Sequence, residues 1–201
     1  MRHPLLLGAL GLPLQASLLF DQSPPITTGL DITKHREADD FTLLQASTVS
    51  AINFWYGAPS QNNLISATWI VYAKNGGAVG PVISSGTASP LTSLDPSVNR
   101  FFATFSGINL SLAAAEYWLE IQDSTNPSDT TGPFVLWSQA ASNGTHSSVF
   151  NTLAVPSSST AGLQLAFQIV GAVDATSVPE PATYAMFAAG LGLIVLRKGA
   201  R

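Results

Sequence analysis

Two sets of side chains in this sequence have types and spacings that could do chemistry. The first is acidic, Asp31, Glu37, Asp39 and Asp40, clustered before and at the start of an apolar run. Carboxylates gathered in a loop could surround a hard cation, and calcium, the cofactor such a set would take, uses about six to eight oxygens. The plainer alternative is a group of solvated acids that keep a sheet edge soluble. A second acidic loop runs from Asp123 through Asn126 to Asp129, but its spacing does not fit the EF-hand pattern.

The second set is aromatic. Trp118 stands between Glu116 and Glu120, two residues from each, while Trp55 and Trp137 fall opposite the more aliphatic faces of their own segments. On a strand, residues two apart share a face, so Trp118, Glu116 and Glu120 predict a platform on which a sugar ring stacks while carboxylates take its hydroxyls. Packing beneath a loop or against a second sheet is the competing role for large aromatics. Glu116 and Glu120 do not make a glycosidase pair. Four residues of strand put them about 13 Å apart, against about 5 to 9.5 Å for the paired acids of retaining and inverting enzymes. Glu37 and Asp39 have a more permissive spacing and keep a polysaccharide hydrolase as the remaining enzymatic alternative.

Other chemistries find less support. A Ser-His-Asp hydrolase would draw its base from His35 or His146, and no Gly-x-Ser-x-Gly elbow accompanies them. There is no cysteine, so neither disulfides nor thiolate chemistry are available. Between Ser17 and Val178 four cations face eleven carboxylates, a net charge of −7. Nucleic acid is a poor partner for such a surface, because phosphate binding needs clustered Lys and Arg.

The elements that must hold these residues read as strands. The central segments are rich in Ser, Thr, Gly, aromatic and β-branched residues and lack a long window of helical period. Strands are predicted over 40–44, 49–56, 67–73, 79–84, 100–106, 115–122, 134–138, 147–153 and 162–170. Lys74-Asn75-Gly76-Gly77 predicts a tight hairpin between the third and fourth of these. Alternation places Ile52, Phe54 and Tyr56 on one face, likewise Tyr117, Leu119 and Ile121, and likewise Leu163, Leu165, Phe167 and Ile169, with Gln164 and Gln168 opposite the last set. The expected architecture is all-β, a two-sheet antiparallel β-sandwich of jelly-roll type.

The two ends differ from this middle. Arg2, the apolar run Leu5 to Leu14 and then Gln15-Ala16-Ser17 follow the order of a secretory signal peptide, predicting cleavage after Ala16 and use of the Sec export machinery. At the other end Val178-Pro179-Glu180-Pro181 precedes the apolar stretch Ala182 to Leu196 and then Arg197, Lys198 and Arg201. Fifteen helical residues reach about 22 Å, a little under the hydrocarbon core, and the basic cluster belongs on the cytoplasmic side. Two prolines hold the Pro-Glu-Pro motif extended.

This ordered tail resembles the PEP-CTERM sorting signal. That resemblance implies recognition of Pro179, Glu180 and Pro181 by an exosortase-type processing enzyme, membrane attachment through the C-terminal helix before processing, and a basic tail of Arg197, Lys198 and Arg201. It also implies a setting of exopolysaccharide and biofilm matrix. The segments Ala38-Asp39-Asp40-Phe41, Phe54-Trp55 and Tyr117-Trp118-Leu119 resemble jelly-roll carbohydrate-binding domains that precede such tails. The resulting expectation divides the chain into a signal peptide at 1–16, a sandwich at 17–173, a linker at 174–178 and the sorting signal at 178–201. The protein is expected to be exported, non-enzymatic and located at the cell surface or in the extracellular matrix, binding polysaccharide or serving as a structural, adhesive scaffold.

Overall fold

The computed structural model describes residues 16–33, 35–76, 78–124, 134–141, 147–150, 159–160 and 164–174, of which 147–150 and 159–160 are described by backbone alone. The signal-peptide reading before Ala16 and the sorting tail, with its expected membrane helix, lie outside these residues.

Thirteen strands are described: β1 Ser17–Asp21, β2 Pro25–Asp31, β3 Arg36–Leu43, β4 Ser47–Gly57, β5 Ala67–Asn75, β6 Ala78–Ala88, β7 Leu91–Asp95, β8 Arg100–Leu112, β9 Ala115–Asp123, β10 Leu136–Ala140, β11 Ser147–Phe150, β12 Ser159–Thr160 and β13 Phe167–Val173. All pairings are antiparallel. A seven-stranded sheet is built on β4, which carries β8 and then β7 on one side and β13 with β1, followed by β10 with β2, on the other. A six-stranded sheet runs β12-β11-β3-β9-β5-β6. Because β1 pairs with β13, Ser17 lies opposite Gly171 and the sandwich closes on itself within 17–174. All the described strands pair within that segment.

Alternation builds the core between the sheets. Ile52, Phe54 and Tyr56 on β4 meet Phe167 and Ile169 from β13 and Trp137 from β10, and across the gap they face Phe41, Tyr117, Leu119, Ile121 and Val71. Phe41 stacks on Tyr117 and touches the edge of Phe167 in the opposite sheet. Val49 also faces inward although it stands an odd number of residues before Ile52. Ser50 is the extra residue of β4 against β13, where Val49 and Ala51 face the consecutive Gly171 and Val170, and the pairing with β8 slips at the same place, with Gly107 at φ +74° among the extra residues of β8. A bulge of this kind flips which side chains point inward, and glycine adopts the left-handed angle at least cost.

The expected hairpin is present: β5 pairs with β6 from Asn75 and Ala78 onward, with Gly76 at φ +62°. Four strands had no expectation, among them β12, whose Ser- and Thr-rich stretch reads as a loop. β1 begins directly after the apolar leader, β2 opens on proline and carries Gly29, and β7 is only five residues of mixed polarity, so none has a clean period-2 signature. The last strand starts later than expected, at Phe167. Leu165 makes an isolated bridge to Gln139 instead, and Gln164, expected outside, is buried.

Candidate functional site

The three tryptophans of the expected platform go to three different places. Trp137 is fully buried between the sheets, its Nε1 donating to the carbonyl of Ala166 at 3.0 Å. Trp118 does face outward from the six-stranded sheet, as alternation requires, but only 1% of it is exposed. It packs with Ala38 and Tyr72, and the Lys74 ammonium sits 5.6 Å above its ring. Trp55 faces outward from the seven-stranded sheet. The predicted platform of Trp118 between Glu116 and Glu120 is therefore corrected. Glu120 is wholly buried, held by Arg36 at 2.6 and 2.8 Å and by the Tyr72 hydroxyl at 2.7 Å, while Glu116 remains at the surface against Lys74 at 3.2 Å. Long cationic side chains lying over an aromatic close a face that strand alternation alone would leave open.

The acidic set is likewise divided. Asp40 points outward and pairs with Lys74 at 2.6 Å. Glu37 and Asp39 lie on the inner face of β3 and are buried, whereas Asp31 accepts the Thr33 amide at 2.8 Å in its own turn. Asp39 accepts from Gln22 at 2.6 Å, from the Leu165 amide at 2.5 Å and from the Asp40 amide at 2.8 Å. Burial nevertheless holds its pKa well above the usual carboxylate range. Burial, reinforced by the nearby charges of Asp31 and Glu120, pushes Glu37 up to about 8, and its Oε2 has no partner among the described residues. Among the described residues no three acidic or histidine side chains converge on a point where a metal ion could sit. The calcium site expected from Asp31, Glu37, Asp39 and Asp40 does not fit this arrangement, because period-2 alternation sends neighbouring carboxylates to opposite faces.

An open site forms instead on the outer face of the seven-stranded sheet. A cleft of about 340 Å³ is lined by Trp55, Phe102, Ser93, Leu94, Asp95, Pro96 and Gln168. Cross-strand register explains its composition. Trp55 on β4 lies opposite Phe102 on β8, which lies opposite Ser93 on β7. The two rings meet edge to face with centroids 4.8 Å apart. Asp95 locks the aromatic floor, accepting Trp55 Nε1 at 3.0 Å, and is itself fixed by Ser97 through its hydroxyl at 2.6 Å and its amide at 3.1 Å. The Ser97 hydroxyl and then the Trp55 indole hold the Asp95 pKa below the ordinary value, so the group is a fixed anion and acceptor.

One register step away, a polar row crosses four strands: Thr104, Asn53, Gln168 and Asp21 stand side by side on β8, β4, β13 and β1. Asn53 donates to Gln168 at 3.3 Å, and Gln168 donates to Asp21 at 3.2 Å. An aromatic cleft beside a ladder of amides and hydroxyls can hold a ring that is apolar on one face and hydroxylated at its rim. Only Trp55 of these residues was singled out from the sequence. Phe102 and Asp95 were missed, although the alternation of Phe101, Ala103 and Phe105 against Phe102, Thr104 and Ser106 contained the signal for Phe102.

Residues 177–201 match the PEP-CTERM protein-sorting motif. The match contains Pro179, Glu180, Pro181, Arg197, Lys198 and Arg201, all outside the described residues. It marks the chain as exported, held at the membrane before sorting, and processed by exosortase-type machinery. No curated protein and no solved structure matches the chain.

Proposed function

We propose that this PEP-CTERM-sorted protein delivers its β-sandwich to the cell surface or extracellular matrix, where the Trp55–Phe102 cleft binds a glycan of the extracellular polysaccharide. The sandwich then corresponds to the jelly-roll type expected from the sequence. The observation that carries the reading is the cleft itself: two fixed aromatic rings, an anchored carboxylate and an adjoining amide ladder on one outward face. Its volume lies at the lower end of the range for small-molecule sites, about 300–1,000 Å³, which suits one sugar ring of a chain that continues along the surface. Stacking on the aromatic pair would supply binding energy, and Asp95 and Gln168 would read hydroxyls. Binding rather than turnover is favoured because Asp95 is the single carboxylate among the lining residues, whereas glycoside cleavage uses two. A second reading, a structural or adhesive surface protein without a specific ligand, is favoured by the 7% exposure of Trp55.

The test is titration of the segment 17–174 with purified exopolysaccharides, followed by intrinsic tryptophan fluorescence and calorimetry. Binding that weakens about tenfold in Phe102→Ala, the loss expected for one stacking contact of about 1–1.5 kcal/mol, supports the glycan site. Binding by no polysaccharide, or binding unchanged in that variant, transfers support to the scaffold reading.

A further inference from the structure

The flank of the sandwich where β6 and β7 lie departs from the way natural sheets protect their edges. β6 is the outer strand of the six-stranded sheet and β7 that of the seven-stranded sheet, and two residues, Ser89 and Pro90, join them. Both free edges therefore border one side of the molecule. From Asn75 to Leu94 there is no charged residue. Val82, Ile83, Leu91 and Leu94 stand in this stretch 56%, 41%, 71% and 53% exposed. At eleven residues β6 is longer than the other described edge strands, β1, β2, β7 and β12. Charges, prolines and bulges are the devices that stop edges from pairing. β6 has Pro81 and two register slips against β5, between Val71 and Tyr72 and between Tyr72 and Lys74. All of them fall before Ser84. From Ser84 to Ala88 the strand pairs regularly with β5 and offers its other side to solvent.

We propose that this run is a homotypic docking edge: β6 of one copy pairs antiparallel with β6 of a second copy about a two-fold axis at Gly86, joining two six-stranded sheets. Charge selects the occupant. The exported segment carries a net charge of −7, so two copies repel over most of their surfaces, and the long uncharged flank is where approach costs least. Self-pairing also needs a strand that opposes no like charges when laid against its own reverse. In this register Ser84 faces Ala88, Ser85 faces Thr87 and Gly86 faces Gly86, all small or β-branched, while Leu91 and Leu94 add apolar contact at the border. A two-fold axis makes the contact isologous, giving a closed dimer rather than a fibre. The inference is independent of the glycan cleft, although dimerisation would pair two clefts on one particle and raise avidity for a polymer.

The experiment compares the segment 17–174 with two double variants at the same positions, by sedimentation velocity over a wide concentration range. Ser85→Lys with Thr87→Lys places lysine against lysine across the axis twice. Ser85→Lys with Thr87→Glu places lysine against glutamate twice. The wild type should dimerise, the first variant should dissociate with Kd raised about tenfold or more, and the second should restore dimerisation. Because the chain has no cysteine, Ser85→Cys with Thr87→Cys should also form a disulfide-linked dimer on mild oxidation, whereas Thr42→Cys, on the outer face of β3, should not. A monomeric wild type, equal behaviour of the two charged variants, or equal crosslinking from Thr42→Cys would overturn the proposal. Retained secondary structure in each variant, read by circular dichroism, separates lost docking from lost folding.

Discussion

Both sheets turn a tryptophan outward and bury it, but only one of the two faces keeps a cleft beside it. On the six-stranded sheet Trp118 is closed over by Tyr72 and Lys74, and the charges around it neutralise one another as Arg36 with Glu120 and Lys74 with Asp40 and Glu116. On the seven-stranded sheet Trp55 is also largely covered, 7% exposed among Ala140, Ala166, Val98 and Phe102, but Ser93, Asp95 and Gln168 are too short to fill the space beside the two rings, and a cleft remains. Period-2 alternation decides which face a residue takes. What stands one strand over decides whether that face is a surface or a second, smaller core.

The six-stranded face depends most heavily on Arg36. Glu120 has no exposed side-chain surface, and its charge is met by the guanidinium. Arg36→Met would leave a buried carboxylate without its cation, a loss that costs about 3–5 kcal/mol. Chemical denaturation of 17–174 should show that drop, while glycan affinity at the distant cleft of the surviving folded protein stays within a factor of two. An equal loss of binding would mean the two faces are not separate.

Glu37 gives the next effect, with a sign set by proton linkage. In the folded protein its pKa is pushed up to about 8 from an ordinary 4.5. Between those values the native state binds more protons than the unfolded chain, so stability is greatest below about pH 4.5 and falls as pH rises toward 8. Asp39, raised in the same direction, adds to the slope. Glu37→Gln removes the charge that cannot form, and it should stabilise the domain by about 2 kcal/mol at pH 8, with little difference at pH 4. Urea midpoints at the two pH values check this, and a mutant effect that is equal at both would refute it.

At the cleft the expected effects are smaller. Phe102→Ala should weaken polysaccharide binding about tenfold, and Asp95→Asn, with one acceptor oxygen in place of two, keeps the Trp55 contact only by giving up the Ser97 amide, and loses the fixed charge. The asparagine variant should therefore bind within about threefold of wild type when the ligand is neutral. Asp95→Asn falling below Phe102→Ala in affinity would make the carboxylate, and not the ring, the centre of the site.

The core was legible in the sequence wherever alternation ran unbroken. Ile52, Phe54 and Tyr56, and Tyr117, Leu119 and Ile121, occupy the positions their spacing predicts. The hairpin at Asn75-Gly76 was legible because positive φ is a local demand. The inward position of Val49 was not legible, since it depends on a bulge at Ser50 that is defined only by the partner strands β13 and β8. Nor was the fate of Trp118. Nothing within its own strand announces Lys74, which arrives from β5 through the pairing of Tyr72 with Trp118. The acidic set misled for a related reason. Asp39 and Asp40 are neighbours in sequence, yet one ties the backbone of Leu165 between the sheets and the other meets a lysine outside.

A single substitution at Lys74 would make one face resemble the other. Lys74 is the one long side chain that both covers Trp118 and anchors Asp40 and Glu116. Its own pKa is raised, chiefly because those carboxylates outweigh the cost of burying it. Lys74→Ser shortens the cover to the size of the side chain that flanks Trp55. The Lys74–Glu116 pair is half exposed, but Lys74 and Asp40 leave only 11% and 10% of their side chains exposed, so losing both pairs and the cation–π contact should lower stability by about 2–3 kcal/mol while the domain remains folded. Trp118 should then become accessible, and acrylamide should quench more of the total tryptophan emission than in wild type. Unchanged quenching would show that Tyr72 and Ala38 close the face without the lysine. New polysaccharide affinity in that variant would show that exposure of an outward tryptophan is itself sufficient to make a glycan site on this sandwich, and that the two faces differ in function only by their cover.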